Sequence, residues 1–327
     1  MTSFDLPVPS GYSLIRPLQN GFYGPSCILR DNDQEKSYFC KYINKKLIGD
    51  SKDLERFIKH IETVRSLANN FIIAFERIID QNDHLLLLRQ FIEGMNLTTY
   101  ITEGVQPNQN LIFAQWKILV RTIRYLHINN VYPTFIKPGN IFMGPDKMIM
   151  ITDIIPPPFR FDPAIHKTEP FDVGFLAPEY FVSAEPPSIF SDVWSLGVIL
   201  WFMIMKNLPW NIKNIAAMLK QIQNVSPEQI ELPCDIKSII DSIFTRAPHE
   251  RPTTDSLLSQ KPGRVGTPFN KKALNVIGSP RMRESNDILP KSKIDPQITE
   301  VPLTKASIQV RRRIVRNSDS NDNITCK

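Results

Sequence analysis

The sequence predicts an α+β fold, a small strand-rich part followed by a larger helical one, on three observations. Short apolar runs flanked by polar residues occupy the stretch from about residue 10 to residue 100. Apolar stretches of helical length begin near residue 110. Beyond about residue 262 hydrophobic periodicity stops altogether. Strands gathered first and helices afterwards are the pattern of an α+β fold.

Each element follows from its local pattern. SYFCKYI (Ser37–Ile43) and HLLLLRQFI (His84–Ile92) are short, apolar and bounded by polar residues, as strands are. Between them, DLERFIKHIETVRSL carries apolar residues at Leu54, Phe57, Ile58, Ile61, Val64 and Leu67, the spacing of an amphipathic helix with one buried face. LIFAQWKILVRTIRYLHINN, WSLGVILWFMIM and SIIDSIF read as helices. Residues 153–188 are rich in Pro and lack periodicity, which predicts a long, functional or mobile loop. From residue 261 Gly, Ser, Pro, Asn and Lys/Arg dominate, and a disordered tail is expected over 261–327.

Hydrophobic content of 42% suits a chain of 327 residues with a real core. The most apolar stretch, Trp194–Met205, falls short of the roughly 18 residues a membrane helix needs, and a buried core helix is expected. No N-terminal run has a signal-peptide pattern. Cys27, Cys40, Cys234 and Cys326 are scattered without metal-ligand spacing, which suits a reduced intracellular chain, cytoplasmic or nuclear. The net charge of +6 is uneven: the tail carries 14 Lys/Arg against 6 Asp/Glu, the preceding 260 residues 25 against 27. The basicity therefore belongs to the tail.

Four motifs carry a family resemblance. SDVWSLGVILWFMIMKNLPW (Ser191–Trp210) closely resembles the central helix of the protein kinase C-lobe. LAPEY (Leu176–Tyr180) resembles the end of a kinase activation loop, and HERPT (His249–Thr253) the arginine near the domain's end. KPGN (Lys137–Asn140) lies in order before them. The resemblance covers about residues 10–260 after a short extension at 1–9. It implies a bilobal kinase fold, with an N-lobe over about 10–92, a C-lobe over about 93–260, and nucleotide held in the cleft. It also implies that Asp192 accepts hydrogen bonds from the catalytic-loop backbone, and that Glu179 and Arg251 form a buried ion pair.

The same resemblance exposes losses at the chemistry. In LQNGFYGPS (Leu18–Ser26), Gly21 and Gly24 match two glycines of the phosphate loop, while Gln19 replaces the first; the alternative is an ordinary hairpin turn. Ser26, preceded by Pro25, stands where an apolar residue covers adenine. Lys41 matches the strand lysine that holds the α- and β-phosphates, or is a plain lysine at a strand end. Phe39 stands where the family keeps a small residue against adenine. His60 occupies the place of the glutamate that pairs with the lysine, and Glu62 lies on another face of the helix. Arg89 falls at the position guarding the back of the adenine pocket, where a buried cation must find a carboxylate or snorkel outward. It either plugs the pocket or binds an unusual ligand.

Phe135 replaces the catalytic aspartate, removing an acid–base group that contributes typically ~10²–10⁴-fold. Lys137, which would touch the transferred phosphate, remains. Asn140 remains either as a Mg²⁺ ligand or to shape its own loop. Asp153 keeps the metal-binding aspartate of the Asp-Phe-Gly motif, or is a turn residue before a proline run; Ile154 and Ile155 replace the Phe and Gly. A β-branched residue does not readily adopt the backbone angles of that glycine.

The expected function is a pseudokinase, a regulatory or scaffolding module with protein partners and weak affinity for ATP and Mg²⁺. The alternative is a divergent active serine/threonine kinase, for which Thr168 is a conceivable activation-loop phosphosite. A third reading concerns QVRRRIVRNSDS (Gln309–Ser320) in the tail, which would bind polyanions or be phosphorylated at Ser318. A solvated tail is the plain alternative.

Overall fold

Three strands come first, and the third of them alternates in burial as it separates two apolar layers. In this computed structural model, which describes residues 7–18, 24–104, 108–144, 148–155, 169–182, 188–228, 232 and 234–260, they are Tyr12–Pro17 (β1), Ser26–Asp31 (β2) and Ser37–Asn44 (β3). Gly21, Thr168, Ser318, Cys326 and the entire basic tail lie outside the described residues. Helix Ser51–Ser66 (α1) follows, then Ile72–Ile73 (β4), Arg77–Gln81 (β5) and His84–Gln90 (β6). The main sheet is antiparallel in the order β1-β2-β3-β6-β5.

Alternation along β3 sends Tyr38, Cys40 and Tyr42 to one face, where they join Cys27, Leu29, Leu86 and Leu88 under Val8. The Tyr42 hydroxyl donates to the Pro7 carbonyl at 3.0 Å, so the last residues before the domain pin themselves to this face. The opposite face packs Ile43, Leu85 and Leu87 against Phe57 and Ile61 of α1. Asp50 caps α1 through a reciprocal bond with Asp53, which satisfies orphan amides of the first turn.

The register places Phe39 opposite Arg89 and Ser26 opposite Lys41. Directly opposed residues share a face, which sends Phe39, Lys41 and Arg89 toward the interior cleft together. Gly24, next to β2, has φ +145°, and a Cβ there would stand 2.5 Å from the Tyr42 carbonyl oxygen. Only glycine lets the backbone approach β3 so closely.

The second part begins with Met95–Asn96 (β7), Leu97–Glu103 (α2) and Gln109–Ile128 (α3), followed by Ile141–Met143 (β8) and Ile149–Thr152 (β9). A small sheet runs β4-β9-β8-β7 and lines the cleft floor. Pro170–Val173 (α4) and Glu179–Val182 (α5) are single-turn helices, followed by Ile189–Met205 (α6), Ile215–Asn224 (α7), Cys234–Ile243 (α8) and Thr254–Ser259 (α9). Helices α4 and α5 lie inside the stretch expected as unbroken loop. Four residues are too few to show helical periodicity, and α4 starts at Pro170, a favoured first position.

Helix α6 is buried from Ser191 through Ile204, as its all-round apolarity requires. Trp116 of α3 donates to the Leu196 carbonyl at 2.8 Å, and Trp194 stacks on Trp210 with centroids 5.7 Å apart. Buried Lys117 donates to the carbonyls of Leu257, Leu258 and Gln260, closing the end of α9. No helix among the described residues is long and apolar enough to cross a membrane.

Candidate active-site cleft

A cavity of about 550 Å³ opens between the large sheet and the small one. Lys41 from β3, Arg89 from β6 and Asp153 just after β9 meet at its back. Lys41 Nζ lies 2.6 Å from Asp153 Oδ2, and Arg89 Nε lies 3.2 Å from Asp153 Oδ1. All three are withdrawn from water, with side-chain exposures of 12%, 4% and 6% for Lys41, Arg89 and Asp153. Burial alone pushes the Asp153 carboxyl up, but the charges and hydrogen bonds of Lys41 and Arg89 outweigh it and hold the group at about 2. Asp153 has φ +53°, a left-handed conformation that Asp tolerates better than a β-branched residue.

Arg89 thus finds a carboxylate rather than snorkelling outward. Its guanidinium carbon sits 4.1 Å from the Phe39 ring centroid and 5.4 Å from that of Phe142. The cation is stacked against aromatic rings supplied by β3 and by β8. Phe142 was not singled out in the sequence, although it stands two residues after Asn140 at the start of a short strand, where alternation makes it readable.

The lysine's partner is Asp153, not residue 60. His60 on α1 bonds instead to the backbone of Ile154, and its Nε2 is sealed from solvent without a hydrogen-bond partner among the described residues. Burial pushes the imidazole down to about 4. Glu62 is exposed, away from the cleft. Ile154 joins the core of the helical part while Ile155 joins the core beneath the large sheet. Neither isoleucine has a positive φ, and the pair packs in two directions.

The cleft floor carries Phe135, Lys137 and Asn140. Phe135, which the resemblance sets at the catalytic-aspartate position, has Lys137 Nζ 5.3 Å from its ring centroid. Lys137 is ion-paired with Asp172 of α4. Nothing in the sequence marks Asp172, because an acid on a single-turn helix brought back onto the floor has no periodic signature. The amide of Asn140 bonds the Lys137 carbonyl at 3.0 Å, closing the turn.

Below the floor, Asp192 is fully buried, and its Oδ2 meets His127 Nε2 at 2.8 Å. Burial raises the Asp192 carboxyl; His127 and the backbone N–H of Thr134 act against that rise. His127 is a second residue the sequence reading missed. Thr134 has φ +53° and its carbonyl accepts from the Tyr180 hydroxyl, so this strained turn is held from two sides. Glu179 and Arg251 form a bidentate pair, both contacts at 2.8 Å. Ser191 Oγ adds a bond to Glu179 at 2.7 Å, while Arg251 also donates to the carbonyls of Phe190 and Thr245.

Comparison with known proteins agrees with this architecture. The chain matches the protein kinase domain family over residues 12–261. It is 23% identical over 274 residues to a probable serine/threonine-protein kinase, CCRP1, of Zea mays, covering 83% of this chain and 43% of that protein. It is 26% identical over 228 residues to the serine/threonine-protein kinase cds1 of Schizosaccharomyces pombe, covering 65% and 48% respectively. The chain therefore spans less than half the length of these relatives. Its fold resembles the crystal structure of Rad53 1–466 in complex with AMP-PNP, with a TM-score of 0.63 at 18% identity, covering 76% of this chain and 64% of that one. By its matched domain, its bilobal fold and its relatives, the chain belongs to the protein kinase family.

Proposed function

We propose that this chain is a pseudokinase, a kinase-fold regulatory or scaffolding module inside the cell that works by binding protein partners rather than by phosphoryl transfer. The observation that carries the reading is the state of Asp153: each carboxylate oxygen is already engaged by a cation, Lys41 on one side and Arg89 on the other. A divalent cation would have to displace both. The base slot fares no better, since the Arg89 guanidinium lies against Phe39 and Phe142 where the resemblance puts adenine. The residues present do not fit a magnesium-bound nucleotide. Phe135 removes the acid–base group as well, and transfer chemistry depends mainly on positioning and charge neutralisation.

The test is phosphorylation of self and of mixed serine/threonine peptides with Mg²⁺-ATP. Turnover at the blank rate is expected. Robust turnover abolished by Asp153→Ala would overturn the proposal in favour of a divergent active serine/threonine kinase. One observation favours that second reading: Lys137 and Asn140 remain on the cleft floor, with the Asp172 carboxylate held on Lys137.

A further inference from the structure

The charges lining the cleft do not balance. Among the described lining residues Arg16, Lys41, Arg89 and Lys137 are cationic, and Asp153 is the one acid. Asp172, reaching in from α4, neutralises Lys137. His60, packed behind Ile154, is held neutral by burial and adds no charge near pH 7. That leaves Lys41 and Arg89 sharing a single carboxylate, with exposed Arg16 adding a further positive charge at the rim. A desolvated net positive charge is unfavourable. Stacking on Phe39 and Phe142 offsets part of that cost but supplies no counter-charge.

The donors are also under-used. Arg89, with its side chain 4% exposed, donates to Asp153 through Nε. Among the described residues its two terminal nitrogens make no hydrogen bond, and neither is among the atoms sealed from solvent. A guanidinium fork in a cavity, with a lysine ammonium on the same carboxylate and an arginine on the same cavity's exposed lining, matches an anion with several oxygens spread along a chain.

We propose that the cleft binds an oligophosphate chain without a divalent cation and without reading a base. Arg89 and Lys41 would grip it at depth, and Arg16 at the rim. The proposal rests on the same clamped carboxylate and filled base slot as the pseudokinase reading, and it names the chemistry that the resulting cleft selects. Sodium tripolyphosphate is the probe, because it carries the charge without the purine.

The experiment is calorimetric titration of the full chain with tripolyphosphate, ATP and adenosine, each in EDTA and in excess Mg²⁺. Tripolyphosphate and ATP should bind in EDTA with dissociation constants within about threefold of each other, and adenosine should not bind. Excess Mg²⁺ should weaken both, since it neutralises the phosphates and finds no free carboxylate. Arg89→Met and Lys41→Met each leave a balanced pair with Asp153 and should each lower affinity by about tenfold or more. Melting without ligand shows whether these variants fold. Should either fail, Arg16→Ala at the exposed rim decides, with an expected loss of about threefold.

Equal binding by wild type and variants would move the site elsewhere, to the basic tail, and overturn the proposal. Absence of oligophosphate binding would overturn it while leaving the pseudokinase reading intact if turnover is also absent. Binding that requires Mg²⁺ and extends to adenosine would overturn both the proposal and the filled-cleft argument beneath it.

Discussion

Two buried charge clusters, one in the scaffold and one in the cleft, obey opposite rules. Glu179 and Arg251 are matched one to one, share two hydrogen bonds, and have further partners in Ser191, Phe190 and Thr245. Asp153 is matched to two cations, one of which has unused donors. Satisfied pairing is what a permanent structural joint needs, because breaking a buried pair strands a charge. An unbalanced cluster is what a site tuned for something else leaves behind. The scaffold pair is fully matched, and the cleft cluster is not.

The comparison predicts opposite responses to losing an arginine. Arg251→Met strands Glu179 and should lower unfolding free energy by about 3–5 kcal/mol, read as a shift in the urea midpoint at constant slope. Asp153→Asn strands two cations and should have a similar effect. Arg89→Met, by contrast, removes the surplus charge, keeps an apolar stem against Phe39, and should change stability by less than about 1 kcal/mol. An Arg89→Met loss as large as that of Arg251→Met would erase the distinction between the clusters.

The two regions also differed in how far the sequence exposed them. The Glu179–Arg251 pair was legible because both residues stand in dense motifs, and helix α6 announces itself by continuous apolarity. The cleft was half legible. By the resemblance Phe135 and His60 stand where the family keeps acids, and Arg89 in a buried strand had to find a partner or leave. Which carboxylate it found depends on a contact across 64 residues of sequence, and no local pattern encodes that. Asp172 and His127 were invisible for the same reason, since tertiary folding alone gives each its partner. Gly21, Thr168, Ser318 and the tail fall outside the described residues.

A smaller effect comes from His60, packed on α1 behind Ile154. Its folded value is lowered to about 4, below the ordinary ~6.5 of the unfolded chain, so the unfolded state takes up the proton first. The stability tied to the neutral imidazole is complete above pH ~6.5 and drains away as pH falls toward 4. Between pH 7 and pH 5 the loss should be about 2 kcal/mol. His60→Leu should flatten that part of the profile, measured by urea titration at each pH. Asp153 does not interfere in this window, because its contribution is lost only below the ordinary carboxylate value of ~4 and down through about 2.

The smallest expected effect is on turnover. Phe135→Asp supplies the acid–base group that the resemblance expects there, worth at most ~10⁴-fold when the rest of the apparatus is in place. Here it is not: Asp153 remains held by Lys41 and Arg89, and Lys137 remains held by Asp172. Phe135→Asp alone should therefore stay at the blank rate in a radiolabelled ATP assay. Arg89→Met added to it frees one Asp153 oxygen and empties the space beside Phe142, so Mg²⁺-dependent nucleotide binding should appear in the double variant before any turnover does. Turnover in the single variant would mean that the cleft opens to nucleotide on its own, and that the proposed block at Asp153 does not hold.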